Sequence, residues 1–151
     1  MNVTESFVVD QPRAKLWALI QDIERVARCL PGVENVEVID SDHLGIIITQ
    51  KLGPFSATFD TNLTITERVE GEQIEFTAVG QTIRGASGNL RASNVVRLED
   101  EGTSTRVVIL ADLALGGMLG AVGQKVVAKQ STKITHQFAE NLNSEAIKTG
   151  A

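Results

Sequence analysis

The last apolar-striped run, from about Gly117 to Ile147, constrains this chain more than any other stretch. Leu119, Val122, Val126, Ile134, Phe138 and Leu142 recur at helical spacing, with lysines, Glu140 and amides between them. At the standard rise a helix of that extent is roughly 45 Å long, more than one layer of a small domain needs. Such a rod must lie across something broad, and the rest of the chain supplies strands. One position interrupts the stripe. Gln130 falls midway between Val126 and Ile134, so an amide points where an aliphatic is expected. Either the helix face reaches solvent there, or the amide hydrogen-bonds something held beneath the helix.

Upstream, Val3 to Val9 reads as a strand, and Asp10-Gln11-Pro12 as a helix start, a capping carboxylate followed by proline early in the first turn. Leu16, Trp17 and Ile20 form one face of a short helix. Asp22 opens a second, carrying Ile23, Val26, Ala27 and Leu30, which Pro31-Gly32 ends. A meander follows: Val36 to Ile39, Leu44 to Leu52, an alternating run from Phe55, then Ile74 to Gly80, Ala86 to Leu98, and Thr105 to Leu115. Polar or glycine-containing turns separate them, Gly53-Pro54 being the tightest. Strands grouped together with helices segregated indicate an α+β domain, residues 1–151, in which a curved antiparallel sheet of about seven strands wraps the long C-terminal helix.

The 151 residues make one domain, able to bury roughly two-thirds of its unfolded surface. A formal net charge of −5, with Lys and Arg scattered, argues against a nucleic-acid partner. Cys29 is alone and suits a reducing compartment. The N-terminus lacks a basic-then-apolar leader and no run of apolar residues could span a bilayer, so the expected location is cytoplasmic.

Chemistry-bearing patterns are sparse. His43 and His136 have no metal-ligand spacing around them, and His136 with Glu140 reads as a surface helix contact. The Gly116-Gly117-Met118-Leu119-Gly120 segment lacks the lysine ending of a phosphate loop. No metal site, catalytic residue or cofactor is expected. The informative feature is side-chain size. Ala57, Ala78, Gly80, Ala86, Gly88, Ala92 and Ala111 occupy inward places where a filled core would use larger residues. Either the long helix rides close to the sheet at these points, or the space is left for a guest. In the second case the small residues Ala57, Ala78, Ala86, Gly88 and Ala111 open a hollow walled by Trp17, Leu52, Phe55, Phe59, Phe76 and Leu90. Its roof would be Leu119, Val122, Val126 and Gln130. Gly116, Gly117 and Gly120 would then form a loose gate at the helix entrance, where an interior glycine costs about 1 kcal/mol against alanine.

Three stretches resemble the carbon monoxide dehydrogenase G-subunit family. They are Phe7-Val8-Val9 through Leu16-Trp17 to Cys29-Leu30-Pro31-Gly32-Val33-Glu34; Lys51-Leu52-Gly53-Pro54-Phe55 with Ala57 and Phe59; and Leu115 to Leu119 with Gly123 and Gln137-Phe138-Ala139. That resemblance implies a START-like, polyketide-cyclase-like helix-grip fold with an apolar cavity between sheet and helix. It also implies a non-catalytic accessory protein that binds a lipophilic molecule, a quinone or lipid, and assists or recruits a molybdenum hydroxylase. Some family members continue into a membrane-binding tail. This chain stops at Ala151, so peripheral contact with the inner face of the membrane is the expectation, in place of stable anchorage. The alternatives are a scaffold factor with a packed interior, or a small cyclase or hydrolase.

Overall fold

A computed structural model of the protein describes residues 1–148. Strand β1 (Asn2–Val9) leads into helices α1 (Arg13–Ile20) and α2 (Ile23–Ala27). Then come β2 (Val33–Val38), β3 (His43–Leu52), β4 (Phe55–Val69), β5 (Gln73–Gly85), β6 (Gly88–Glu101) and β7 (Ser104–Gly117). A 3-10 turn (Met118–Ala121) precedes helix α3 (Gln124–Lys148). All seven strands form one antiparallel sheet in the order β1-β7-β6-β5-β4-β3-β2. The α+β helix-grip architecture expected from the sequence is the one observed.

Period-two patterning decides which face is covered. Along β6, Ala92 and Leu98 are buried while Arg91, Ser93 and Arg97 are exposed. In β4, register shifts at Thr58/Phe59 and Ile65/Glu67 bend the strand, as an unpaired extra residue does, and help coil the sheet around α3. Asp22 caps α2 through its side chain. Asp10 does not cap α1, whose start is set by Pro12; its backbone N–H is instead donated to Asn143 on α3. Gly32 ends the helical pair at φ +83°, and a Cβ there would lie 2.2 Å from the Thr49 carbonyl.

The long helix is shorter than its stripe predicts. It has 25 residues, about 37 Å at the standard rise, because it begins at Gln124 and not at Gly117. Pairing with β6 takes the intervening residues: Gly116 sits opposite Asn89 and Gly117 opposite Gly88, extending β7 two residues past Leu115. Gly117 then turns the chain at φ +66° into the 3-10 turn, and Val122 is extended.

Polar clamps fasten the C-terminal part of α3. Asn141 Nδ2 donates to the Cys29 carbonyl at 2.8 Å, Asn143 Nδ2 donates to the Val8 carbonyl at 3.2 Å, and Arg25 pairs with Glu145 at 2.8 Å. Beneath them Val9, Leu16, Leu98, Val107, Leu142 and Ala146 pack as one buried cluster. Each large aliphatic so buried contributes about 1.5–3 kcal/mol.

Candidate functional site

Helix α3 approaches the sheet chiefly at its flanks, β1 on one side and β3 on the other. Under its middle, between those supports and helices α1 and α2, lies a hollow of about 310 Å³. The sheet contributes Ile46, Leu63, Ile65, Phe76, Asn94, Val96, Ile109 and Ala111; α1 and α2 contribute Leu16, Ile20, Ile23 and Val26. Ser131, Ile134, Thr135 and Phe138 of α3 close the top. An edge-to-face contact with Phe7, ring centroids 5.9 Å apart, sets the Phe138 ring. The volume is about twice the ~150 Å³ that holds benzene in an apolar cavity, so a two-ring group or an equivalent chain fits.

Apart from Asp42 at the border, the polar groups here are few and uncharged. Asn94 points inward by the alternation that buries Ala92 and Leu98, and it stands between Phe76 and Ala111 in register. Ser131 and Thr135 of α3, one turn apart, border the same hollow. Among the described residues none hydrogen-bonds the Asn94 amide or either hydroxyl. Asp42 borders the hollow, but its carboxylate is paired with Arg68. Nearby, Thr61 Oγ1 is fully buried without a partner and sits where a Cβ on Gly80 would be, 2.6 Å away.

Perturbed acids and thiols lie elsewhere. Burial pushes the Cys29 thiol up, with the nearby Glu145 adding to the shift. Hydrogen bonds from Arg84 and Thr49 hold Glu34 below the usual carboxylate range. On the outer face, a hydrogen bond with Glu67 raises Glu75. Among the described residues no three His, Cys, Asp or Glu side chains gather as a metal site. The His136–Glu140 contact, at 3.5 Å, is an exposed pair on α3. A wider groove of about 610 Å³ runs along the outer face of the sheet past Thr4, Thr66, Thr77 and Ser93, without an apolar lining comparable to the hollow's.

The residues expected to line a cavity separate into groups. Phe76 and Ala111 border the hollow. Leu52, Ala57, Phe59 and Leu119 pack against one another instead, joined by Phe55, Ala86, Leu90 and Val122, in a cluster at the far end of the sheet. There Leu119 lies on Gly88, whose Cβ would be 2.9 Å from Leu119 Cγ, so glycine marks close approach and no space. Ala78 is buried on the inner face, Trp17 packs against the cluster under α1, and Val126 rests on Gly53. Gln130 has a protein partner: its Nε2 donates to Gln50 Oε1 at 3.0 Å, and Gln50 donates to the Pro31 carbonyl at 2.8 Å. Gly116 and Gly117 end β7, and Gly120 lies in the 3-10 turn pinned by Leu119, which is fully buried.

Asn94, Ser131 and Thr135 escape a reading tuned to small residues. Their signal is a polar residue on the apolar side of each period, Asn94 between Ala92 and Val96, and Ser131 and Thr135 between Val127 and Phe138.

The carbon monoxide dehydrogenase G-subunit (CoxG) family matches residues 6–147. The chain belongs to that family. No curated protein matches the sequence. Solved structures share the fold of this CoxG family member. A conserved protein from Geobacillus kaustophilus is 17% identical with a TM-score of 0.87, covering 99% of this chain and 97% of its own. The Zhui aromatase/cyclase from Streptomyces sp. R1128 is 13% identical with a TM-score of 0.70, over 100% and 96%. A START superfamily protein from Mycobacterium smegmatis is also 13% identical at 0.70, over 98% of both chains. These likenesses place the CoxG fold among START-like proteins. No helix among the described residues is long and apolar enough to cross a membrane.

Proposed function

We propose that this chain is a non-catalytic carrier. It holds a lipophilic small molecule, a quinone or a related lipid, in the hollow beneath α3 and serves a carbon monoxide dehydrogenase-type molybdenum hydroxylase from the cytoplasm, with peripheral contact to the inner face of the membrane. The observation that carries the reading is the hollow itself. Close-packed interiors leave few voids larger than a water, and about 310 Å³ of space, lined chiefly by aliphatics with Phe76 and Phe138, is far larger than those. Family membership supports the association with a dehydrogenase. An amide and two hydroxyls are poor acids and bases near neutral pH, which favours a carrier over a cyclase.

The test is extraction of the purified protein with organic solvent and mass spectrometry of what comes out, followed by thermal unfolding with added ubiquinone or menaquinone analogues. A guest at a hundred times its Kd stabilises by about 2.7 kcal/mol. For a domain of this size that raises Tm by about 5–10 °C. No extracted lipid and no shift would leave a scaffold with an unused hollow.

A further inference from the structure

The hollow is bordered by polar side chains without a protein partner among the described residues, and their kind bears on the chemistry of a guest. Asn94, Ser131 and Thr135 are half-buried and their polar atoms keep accessible surface, since among the described residues Thr61 Oγ1 alone is fully buried without a partner. A guest that covered them without offering a partner would lose about 1–3 kcal/mol for each. Asn94 could have been an aliphatic at no cost to the strand, since Val96 beside it faces the same hollow. Ser131 and Thr135 stand on the stripe that elsewhere carries Val127, Ile134, Phe138 and Leu142. Ala111, next to Asn94 in register, leaves the space in front of the amide clear.

Resting on the carrier reading above, we infer that Asn94, Ser131 and Thr135 form a neutral polar bracket that selects guests bearing an uncharged hydrogen-bonding oxygen and rejects carboxylates. The amide offers N–H donors and a carbonyl acceptor, and each hydroxyl can donate or accept. A ketone or alcohol oxygen held between sheet and helix satisfies them. A carboxylate does not fit, because among the described residues no Lys, Arg or His lines the hollow and the bordering Asp42 is acidic and paired with Arg68. An anion would give up its hydration with no cation to replace it. Simple fatty acids are therefore disfavoured guests.

The experiment titrates three two-ring probes into the protein: tetralone, a neutral ketone; tetralin, the same skeleton without the oxygen; and naphthoate, a carboxylate. The expected order is tetralone about tenfold tighter than tetralin, the yield of one well-formed hydrogen bond to an otherwise unpaired group, with naphthoate weakest. Asn94→Leu is expected to erase the ketone's advantage while tetralin binds as well as before or better. Ser131→Ala with Thr135→Val, on a different element, narrows the advantage and serves should the strand variant fail to fold. Equal binding of ketone and hydrocarbon, tightest binding by naphthoate, or an advantage that survives both variants overturns the bracket and leaves the carrier standing. Binding by none of the three overturns the bracket and the carrier together.

Discussion

Single residues in this protein are small or polar for reasons that only their neighbours reveal. Gly80 is glycine because the Thr61 hydroxyl occupies the place of its side chain, and Gly88 because Leu119 does. Charge follows the same logic on the outer face, where Glu67 and Glu75 stand opposite each other on β4 and β5. Like charges in that position destabilise a sheet, and the hydrogen bond with Glu67, with burial and the Glu67 charge adding to it, raises Glu75 above an ordinary glutamate. A carboxyl whose folded pKa is raised binds its proton more tightly in the folded state. Glu75 therefore supports folding below its unfolded pKa and subtracts from stability as pH rises through the folded one. Glu75→Gln removes that repulsion. Its Tm should exceed the parent's at pH 7, with the difference shrinking toward pH 4, as thermal melts across that range would show. Glu34 has the opposite sign. Arg84 and Thr49 depress its pKa, so its contribution is present above the unfolded pKa and fades as pH falls through the folded one.

At the scale of elements, the succession of strands and helices, the antiparallel sheet and the existence of the long helix were legible, because each element is written as a period that packing then obeys; the pairing of β1 with β7 was not. The start of α3 was not. Apolar spacing from Leu119 onward continues the helical stripe without a break, yet ladder pairing with Asn89 and Gly88 draws Gly116 and Gly117 into β7. That pairing is long-range and leaves no local signature. The same displacement moved the inferred cavity: Leu119, read as roof, is a plug seated on Gly88 among Leu52, Ala57 and Phe59. The hollow lies farther along, where α3 presents short hydroxyl side chains. Leu119→Ala distinguishes plug from roof. Truncating a fully buried leucine costs about 2–5 kcal/mol, a Tm loss of about 4–20 °C at this chain length. Because Leu119 does not border the hollow, the variant should retain the parent's full ligand-induced rise in Tm. A ligand response that disappears in a variant still folded at the assay temperature would return Leu119 to the binding site.

For the whole molecule, the hollow ties stability to the proposed binding. Its lining side chains lack contact partners on one side, so the unliganded protein forgoes dispersion energy that a packed core of the same size would collect. A guest restores those contacts, and so does a larger side chain placed in the space. Ala111 is the position for it: it sits on the sheet floor beside Phe76 and Asn94, and its Cβ faces the hollow. In a filled core Ala111→Phe would overpack and cost about 1–3 kcal/mol. Here the ring enters a volume with room for two, so calorimetry should find the unliganded variant as stable as the parent or up to about 1 kcal/mol more stable, as cavity filling commonly gives. The same ring excludes the guest. Quinone analogues that raise the parent's Tm should leave the variant's unmoved, and organic extracts of the variant should be free of co-purified lipid. A strongly destabilised variant would mean that the space is already occupied by protein. A stable variant that still binds would place the guest elsewhere on the molecule. Gained stability with lost binding is the outcome expected of a cavity kept open for use, since selection for folding alone would have filled it.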